Sequence, residues 1–146
     1  MSTEKTILVV DDDAKLLLAL HKRLTQAGFQ VLTAADAGQA MDIARTEHVD
    51  AISLDVRLPG ELSGLDVAVA LHQDARTASI PILFITGSAN DDFKHMCRAV
   101  GGRFFIAKPY DADLLVQTLR GMLVEDDLAE VRRISTLKRR QPVGEV

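Results

Sequence analysis

"TILVVDDDAK", residues 6–15, sets four branched apolar residues, Ile7 to Val10, directly against three carboxylates, Asp11, Asp12 and Asp13. The apolar run is continuous rather than alternating, the pattern of a strand covered on both faces, as in a parallel sheet. Three adjacent like charges repel, and each loses hydration wherever it is even partly buried. A cation is therefore expected close to them.

Runs of the same kind recur at "QVLTA" (30–34), "AISL" (51–54), "PILFI" (81–85) and "RFFIA" (103–107). Helical spacing fills the intervals. "LLLALHKRLTQAG" puts Leu17, Leu20 and Leu24 on one face with Leu16 beside them, and Gly28 stops the helix. "DAGQAMDIARTE" opens on Asp36 as a cap and turns Ala40, Ile43 and Ala44 inward. "LDVAVALHQDA", "DDFKHMCRAVG" and "DADLLVQTLRGML" are the other three, the last two with aspartate in the first turn, where the helix dipole favours it. Five repetitions of strand then helix predict a five-stranded parallel sheet, doubly wound, (βα)5.

Such sheets bind ligands beyond the carboxyl ends of their strands. Those ends carry Asp11, Asp12 and Asp13, then Asp55, then Thr86, then Lys108 with Pro109; the second strand offers only Asp36, which serves as a cap. Carboxylates from two strands with a hydroxyl and an ammonium make an oxygen-rich pocket suited to Mg²⁺ rather than to a thiolate or imidazole metal site. Lys108 is the cation that the acidic run requires. Asp13, just before "AKLLLAL", reads instead as a helix cap.

"ILVVDDD", "DAISLDVRLPG", "ILFITG" and "FFIAKPY", in this order, resemble the receiver domain of two-component response regulators from about Lys5 to about Leu123. The resemblance implies a flavodoxin-like fold and a signalling domain that catalyses only its own phosphorylation and dephosphorylation. It makes Asp55 the acceptor of a phosphoryl group from a sensor histidine kinase or histidine phosphotransfer protein. Mg²⁺ would be held by Asp12, Asp55 and the backbone carbonyl of Arg57, with Asp11 acting through a water. Lys108 and Thr86 would meet phosphoryl oxygens, and the Lys108–Pro109 bond would be cis. Thr86 and Phe105 would form the switch, and the fourth helix, fifth strand and fifth helix would contact a downstream protein or a second copy. An ordinary core ring is the other reading of Phe105.

The chain departs from the family pattern in three places. One extra residue lies between Pro59 and Gly64, Phe105 lacks a tyrosine hydroxyl, and Arg57 and Ser88 stand where water approaches the acyl phosphate.

The 146 residues fit one domain, 5–123, with a tail, 124–146. A net charge of −4 argues against direct nucleic-acid binding. No apolar run is long enough to cross a membrane, and "MSTEKTILVV" lacks signal-peptide character, so a cytoplasmic location is expected. Lone Cys97 suits a reducing compartment and reads as a small core or groove residue. His21, His48, His72 and His95 lack ligand spacing and read as solvated helix positions.

In the tail, Leu128, Val131, Ile134 and Leu137 recur every three residues, between an acidic start and a basic patch of Arg132, Arg133, Lys138, Arg139 and Arg140. It reads first as an extension of the last helix with a frayed end, and second as a docking or dimerising segment. No catalytic output motif or helix-turn-helix can be fitted to the residues after the receiver. A stand-alone receiver is therefore expected, against the alternatives of a receiver cut from a longer regulator or a binding module of the same fold that ignores phosphorylation. An unrelated aspartyl phosphatase ranks last, because such enzymes want an acid where Arg57 stands. A glycine-rich nucleotide turn is absent after the first strand.

Overall fold

The computed structural model describes residues 4–87, 90–100 and 102–135, with 91–92 and 125–135 described by backbone alone. Strands β1 (Thr6–Val10), β2 (Gln30–Ala34), β3 (Ala51–Asp55), β4 (Ile82–Thr86) and β5 (Gly102–Ala107) alternate with α1 (Ala14–Gln26), α2 (Ala37–Thr46), α3 (Gly64–His72), α4 (Asp91–Ala99) and α5 (Ala112–Ser135). The strands form one parallel sheet in the order β2-β1-β3-β4-β5. This is the doubly wound architecture expected from the sequence.

Alternate residues of each strand point to opposite faces, and the continuous apolar runs thereby build two cores. Ile7, Val9, Leu83 and Ile85 pack with Leu20 and Leu24 of α1 and with Leu115, Leu119 and Met122 of α5. Leu8, Val10, Leu54 and Phe84 pack on the other face with Ala40 and Ala44 of α2, Val67 and Leu71 of α3, and Phe93 and Cys97 of α4. Coverage on both faces holds for β3 and β4 throughout and for β1 beyond Thr6. The edge strands differ: Gln30 and Thr33 of β2 and Phe104 and Phe105 of β5 are exposed. Each edge strand has one neighbour only, and the helices seated over the sheet leave its outer side uncovered.

Local chemistry sets the helix ends. Asp13 caps α1, accepting from the backbone N–H groups of Lys15 (3.0 Å) and Leu16 (3.1 Å), and Asp36 accepts from that of Gln39 (2.8 Å) to cap α2. After α1 the chain reverses through Gly28 at φ 100°, a left-handed conformation that glycine adopts without steric cost. Arg23 of α1 pairs with Asp113 of α5, tying the two helices of one face together. His21, His72 and His95 are exposed on helices as expected. His48 is not helical: it lies in the loop before β3, with Nε2 3.0 Å from Asp50 Oδ1. The backbone of α5 runs on to Ser135. The side chains of Leu128, Val131, Ile134, Arg132 and Arg133, and all of Leu137, Lys138, Arg139 and Arg140, lie outside the described residues.

Cys97 is buried against the sheet, and burial pushes its thiol up to about 11. An unfolded chain therefore loses that proton first as pH rises. The stability held by the neutral thiol is complete below the ordinary thiol range and is lost as pH climbs from there through about 11. At about pH 8 a thiol-exchange reagent is expected to label the native chain slowly and the urea-unfolded chain at once. Equal rates would contradict a closed α4.

Candidate phosphoacceptor site

Because the strands are parallel, their carboxyl ends share one edge of the sheet, and the order reverses between β1 and β3. Asp11, which follows β1, and Asp55, the last residue of β3, stand at that reversal, both with buried side chains. Thr86, also buried, ends the neighbouring β4, where Asp55 is in register with Ile85. Sequence reasoning put Asp55 and Thr86 just past their strands; both are the final strand residues.

Each buried carboxylate is oriented by a backbone donor two residues on. The Asp13 N–H donates to Asp11 Oδ1 at 2.9 Å, and the Arg57 N–H donates to Asp55 Oδ1 at 3.0 Å. The Lys108 ammonium donates to Asp55 Oδ2 at 2.7 Å and lies 4.0 Å from Asp11 Oδ2. It is the cation expected beside the acidic run. Its own N–H donates to the Thr86 carbonyl at 2.7 Å, and the Lys108–Pro109 bond is cis.

The electrostatics follow from this packing. Burial, reinforced by the charge of Asp55 and opposed by the bond from Asp13, raises the Asp11 pKa above the usual carboxylate value. Burial works against the Lys108 ammonium, but its bond to Asp55 and the attraction of Asp55, Asp11 and Asp12 outweigh that cost and raise its pKa. Tyr110 belongs to the same electrostatic environment. Burial, then the charges of Asp11 and Asp55, push its hydroxyl up to about 12. Sequence reasoning quoted Tyr110 in "FFIAKPY" without assigning it; its place directly after the Lys-Pro pair was the available signal.

Asp11, Asp12 and Asp55 each offer a carboxylate oxygen, and the three oxygens lie within 4.8 Å of one another. Hard oxygen donors of this kind fit Mg²⁺. Asp13 faces its helix and takes no part. Arg57 is exposed at the rim, and Ser88 lies outside the described residues.

Phe105 is not an ordinary core ring, since 36% of it is exposed. Its ring and that of Phe93 stand nearly perpendicular at 6.3 Å between centroids, and the Lys94 ammonium lies 5.3 Å from the Phe105 centroid. The loop with the extra residue turns at Gly60 (φ 89°) and ends in a reciprocal cap, in which Asp66 N–H donates to Ser63 Oγ at 3.2 Å and Ser63 N–H donates to Asp66 Oδ2 at 2.9 Å. Among the described residues no helix is long and apolar enough to cross a membrane.

Comparison with known proteins agrees with this geometry. The family model for the response regulator receiver domain matches residues 7–120. Protein PilH of Pseudomonas aeruginosa is 32% identical over 117 residues, covering 80% of this chain and 96% of that protein. Vibrio cholerae chemotaxis protein CheY4 superposes with a TM-score of 0.76 at 29% identity, over 81% of this chain and 98% of the other. The receiver domain of the Pseudomonas aeruginosa sensor histidine kinase PA1611, solved with a magnesium ion coordinated in its active site cleft, gives a TM-score of 0.73 at 26% identity, over 83% and 98%.

Proposed function

The chain belongs to the response regulator receiver domain family, and from that membership we propose that Asp55 accepts a phosphoryl group from a histidine kinase or histidine phosphotransfer protein. The observation that carries this reading is the Lys108 ammonium seated on Asp55 Oδ2 with Asp11 and Asp12 alongside.

A carboxylate oxygen of Asp55 attacks phosphorus while the P–N bond to the donor imidazole breaks; the imidazole leaves with the electron pair and takes up a proton. Asp55 needs no activating base, because the carboxylate is already the nucleophile. Asp12, Asp55 and the Arg57 carbonyl would hold Mg²⁺, with Asp11 acting through a water, and the ion would supply charge neutralisation of the transferring oxygens. Lys108 leaves its carboxylate partner for a phosphoryl oxygen, and the Thr86 hydroxyl donates to another. The carboxylate gives way to a group of about two negative charges with three acceptor oxygens, which draws Thr86 inward and lets Phe105 follow from its exposed position. The surface that changes comprises α4, β5 and α5, where Met96, Phe104 and Phe105 are exposed. We assign it to a downstream protein, with residues 5–123 as the receiver domain and 124–146 as its tail.

The test is intact-protein mass after incubation with Mg²⁺ and acetyl phosphate or phosphoramidate. A gain of one phosphoryl group is expected, and EDTA is expected to remove it, because the acid cluster then faces the incoming phosphoryl charge with Lys108 alone. No gain under any condition would favour a module that binds without phosphorylation.

A further inference from the structure

Phe105 carries no hydroxyl, so no hydrogen bond of its own fixes its ring in either position of the switch. Contact sets its place instead. On one side stands Phe93, itself buried and held edge to face against Phe84, the fully buried ring of β4, at 6.0 Å between centroids. Over the Phe105 ring stands the Lys94 ammonium.

Phe93 and Lys94 are adjacent on α4 but meet the ring in different ways. Phe93 belongs to the core beneath the helix and presents an apolar wall. Lys94 is exposed, and its charge is drawn to the negative face of the ring. When Phe105 turns inward, the ammonium can follow only by shedding its water, and burying an unpaired ammonium costs more than a cation–π contact contributes. The contact therefore stabilises the outward ring alone.

We propose that Lys94 is a brake on the switch: its charge over Phe105 holds the ring outward in the unmodified chain and opposes the change that phosphorylation brings. The brake presupposes the phosphoacceptor role of Asp55. Lys94 acts through Phe105, as a positioning residue. Because coupling between sites is reciprocal, whatever favours the outward ring weakens the affinity of the site for the phosphoryl group and its analogues. A cation over an exposed ring accounts for about a two- to fivefold effect.

The contact and the brake are read separately. In the NMR spectrum of the unmodified chain, the ε-methylene protons of Lys94 are expected upfield of free lysine through the Phe105 ring current, and Phe105→Leu is expected to remove that shift. The brake is read by equilibrium titration with beryllofluoride, a phosphoryl analogue, at saturating Mg²⁺, counting free and bound chain from amide cross-peaks. Lys94→Gln, a helix former as good as lysine, is expected to bind beryllofluoride about two- to fivefold more tightly than the wild type. Lys94→Arg is expected to bind as the wild type does, because a guanidinium also stacks on a ring. Loss of a cation by itself would weaken the binding of an anion, so the sign separates the brake from simple attraction. In a Phe105→Leu background, Lys94→Gln is expected to give no tightening. Unshifted Lys94 protons, a Lys94→Gln variant that binds no more tightly than the wild type, or tightening that persists without the Phe105 ring would each overturn the brake. A wild type that shows the ring-current shift yet binds no beryllofluoride overturns the phosphoacceptor reading, and the brake falls with it.

Discussion

Asp55→Asn is expected to abolish phosphoryl uptake from acetyl phosphate or phosphoramidate while leaving the protein folded. An amide oxygen lacks the charge that makes the carboxylate a nucleophile, and neither Asp11 nor Asp13 is placed as Asp55 is. Asp11 is nearest to Lys108 after Asp55, but at 4.0 Å rather than 2.7 Å, and its Oδ1 is taken by the Asp13 N–H. Asp13 caps α1. The fold is expected to tolerate the change because two terms oppose each other. Asparagine keeps one acceptor, for the Arg57 N–H, and loses the ion pair and hydrogen bond with Lys108, while the repulsion between Asp55 and Asp11 disappears. Lys108 is more than a third exposed, which limits the worth of the pair, so the net change in unfolding free energy is expected to stay within about 1 kcal/mol in the absence of Mg²⁺. Intact mass and urea titration, run on the same preparation, separate the two effects. Retained mass gain in the variant would remove Asp55 from the role given to it.

The strand ends were legible because the sequence writes them as abrupt changes from branched apolar residues to acids, hydroxyl or lysine, and a parallel sheet brings all such changes to one edge. The cap role of Asp13 was legible too, from the helical run that follows it. What the sequence withheld depends on strand order and packing. The apolar runs at β2 and β5 look like those of the central strands, and only the order β2-β1-β3-β4-β5 makes them edges. The outward position of Phe105 follows from that edge, and from Phe93 and Lys94 of α4, whose reach to β5 no local pattern encodes. His48 was misplaced because the helical pattern of α2 fades without a glycine or proline to end it. The pairing of Arg23 with Asp113 joins residues far apart in the chain, neither remarkable by itself.

Gly64→Ala is expected to cost the fold about 3 kcal/mol, at the upper end of what one added methyl does in a packed interior. Gly64 opens α3 after the loop that follows the phosphoacceptor strand, and its N–H donates to the Val56 carbonyl at 2.8 Å. A Cβ there would stand 2.1 Å from the Asp55 carbonyl oxygen and 2.9 Å from both the Asp55 carbonyl carbon and the Val56 Cα. These are backbone atoms of the strand end, so no side-chain rotation relieves the overlap; either α3 moves off the sheet or the peptide after Asp55 turns. The requirement is the absence of a side chain, because the backbone here is not in the left-handed region. The extra residue between Pro59 and Gly64 is absorbed by the turn at Gly60 and the Ser63–Asp66 cap, leaving the close approach of Gly64 to Asp55 in place. Turning that peptide also moves the Arg57 N–H that orients Asp55 Oδ1. Phosphoryl uptake is therefore expected to slow in the fraction that remains folded, measured as initial rate of mass gain under conditions where circular dichroism shows native helix. Full stability together with unchanged uptake in Gly64→Ala would mean that α3 is not held against the strand end as tightly as the 2.8 Å hydrogen bond from Gly64 to Val56 indicates.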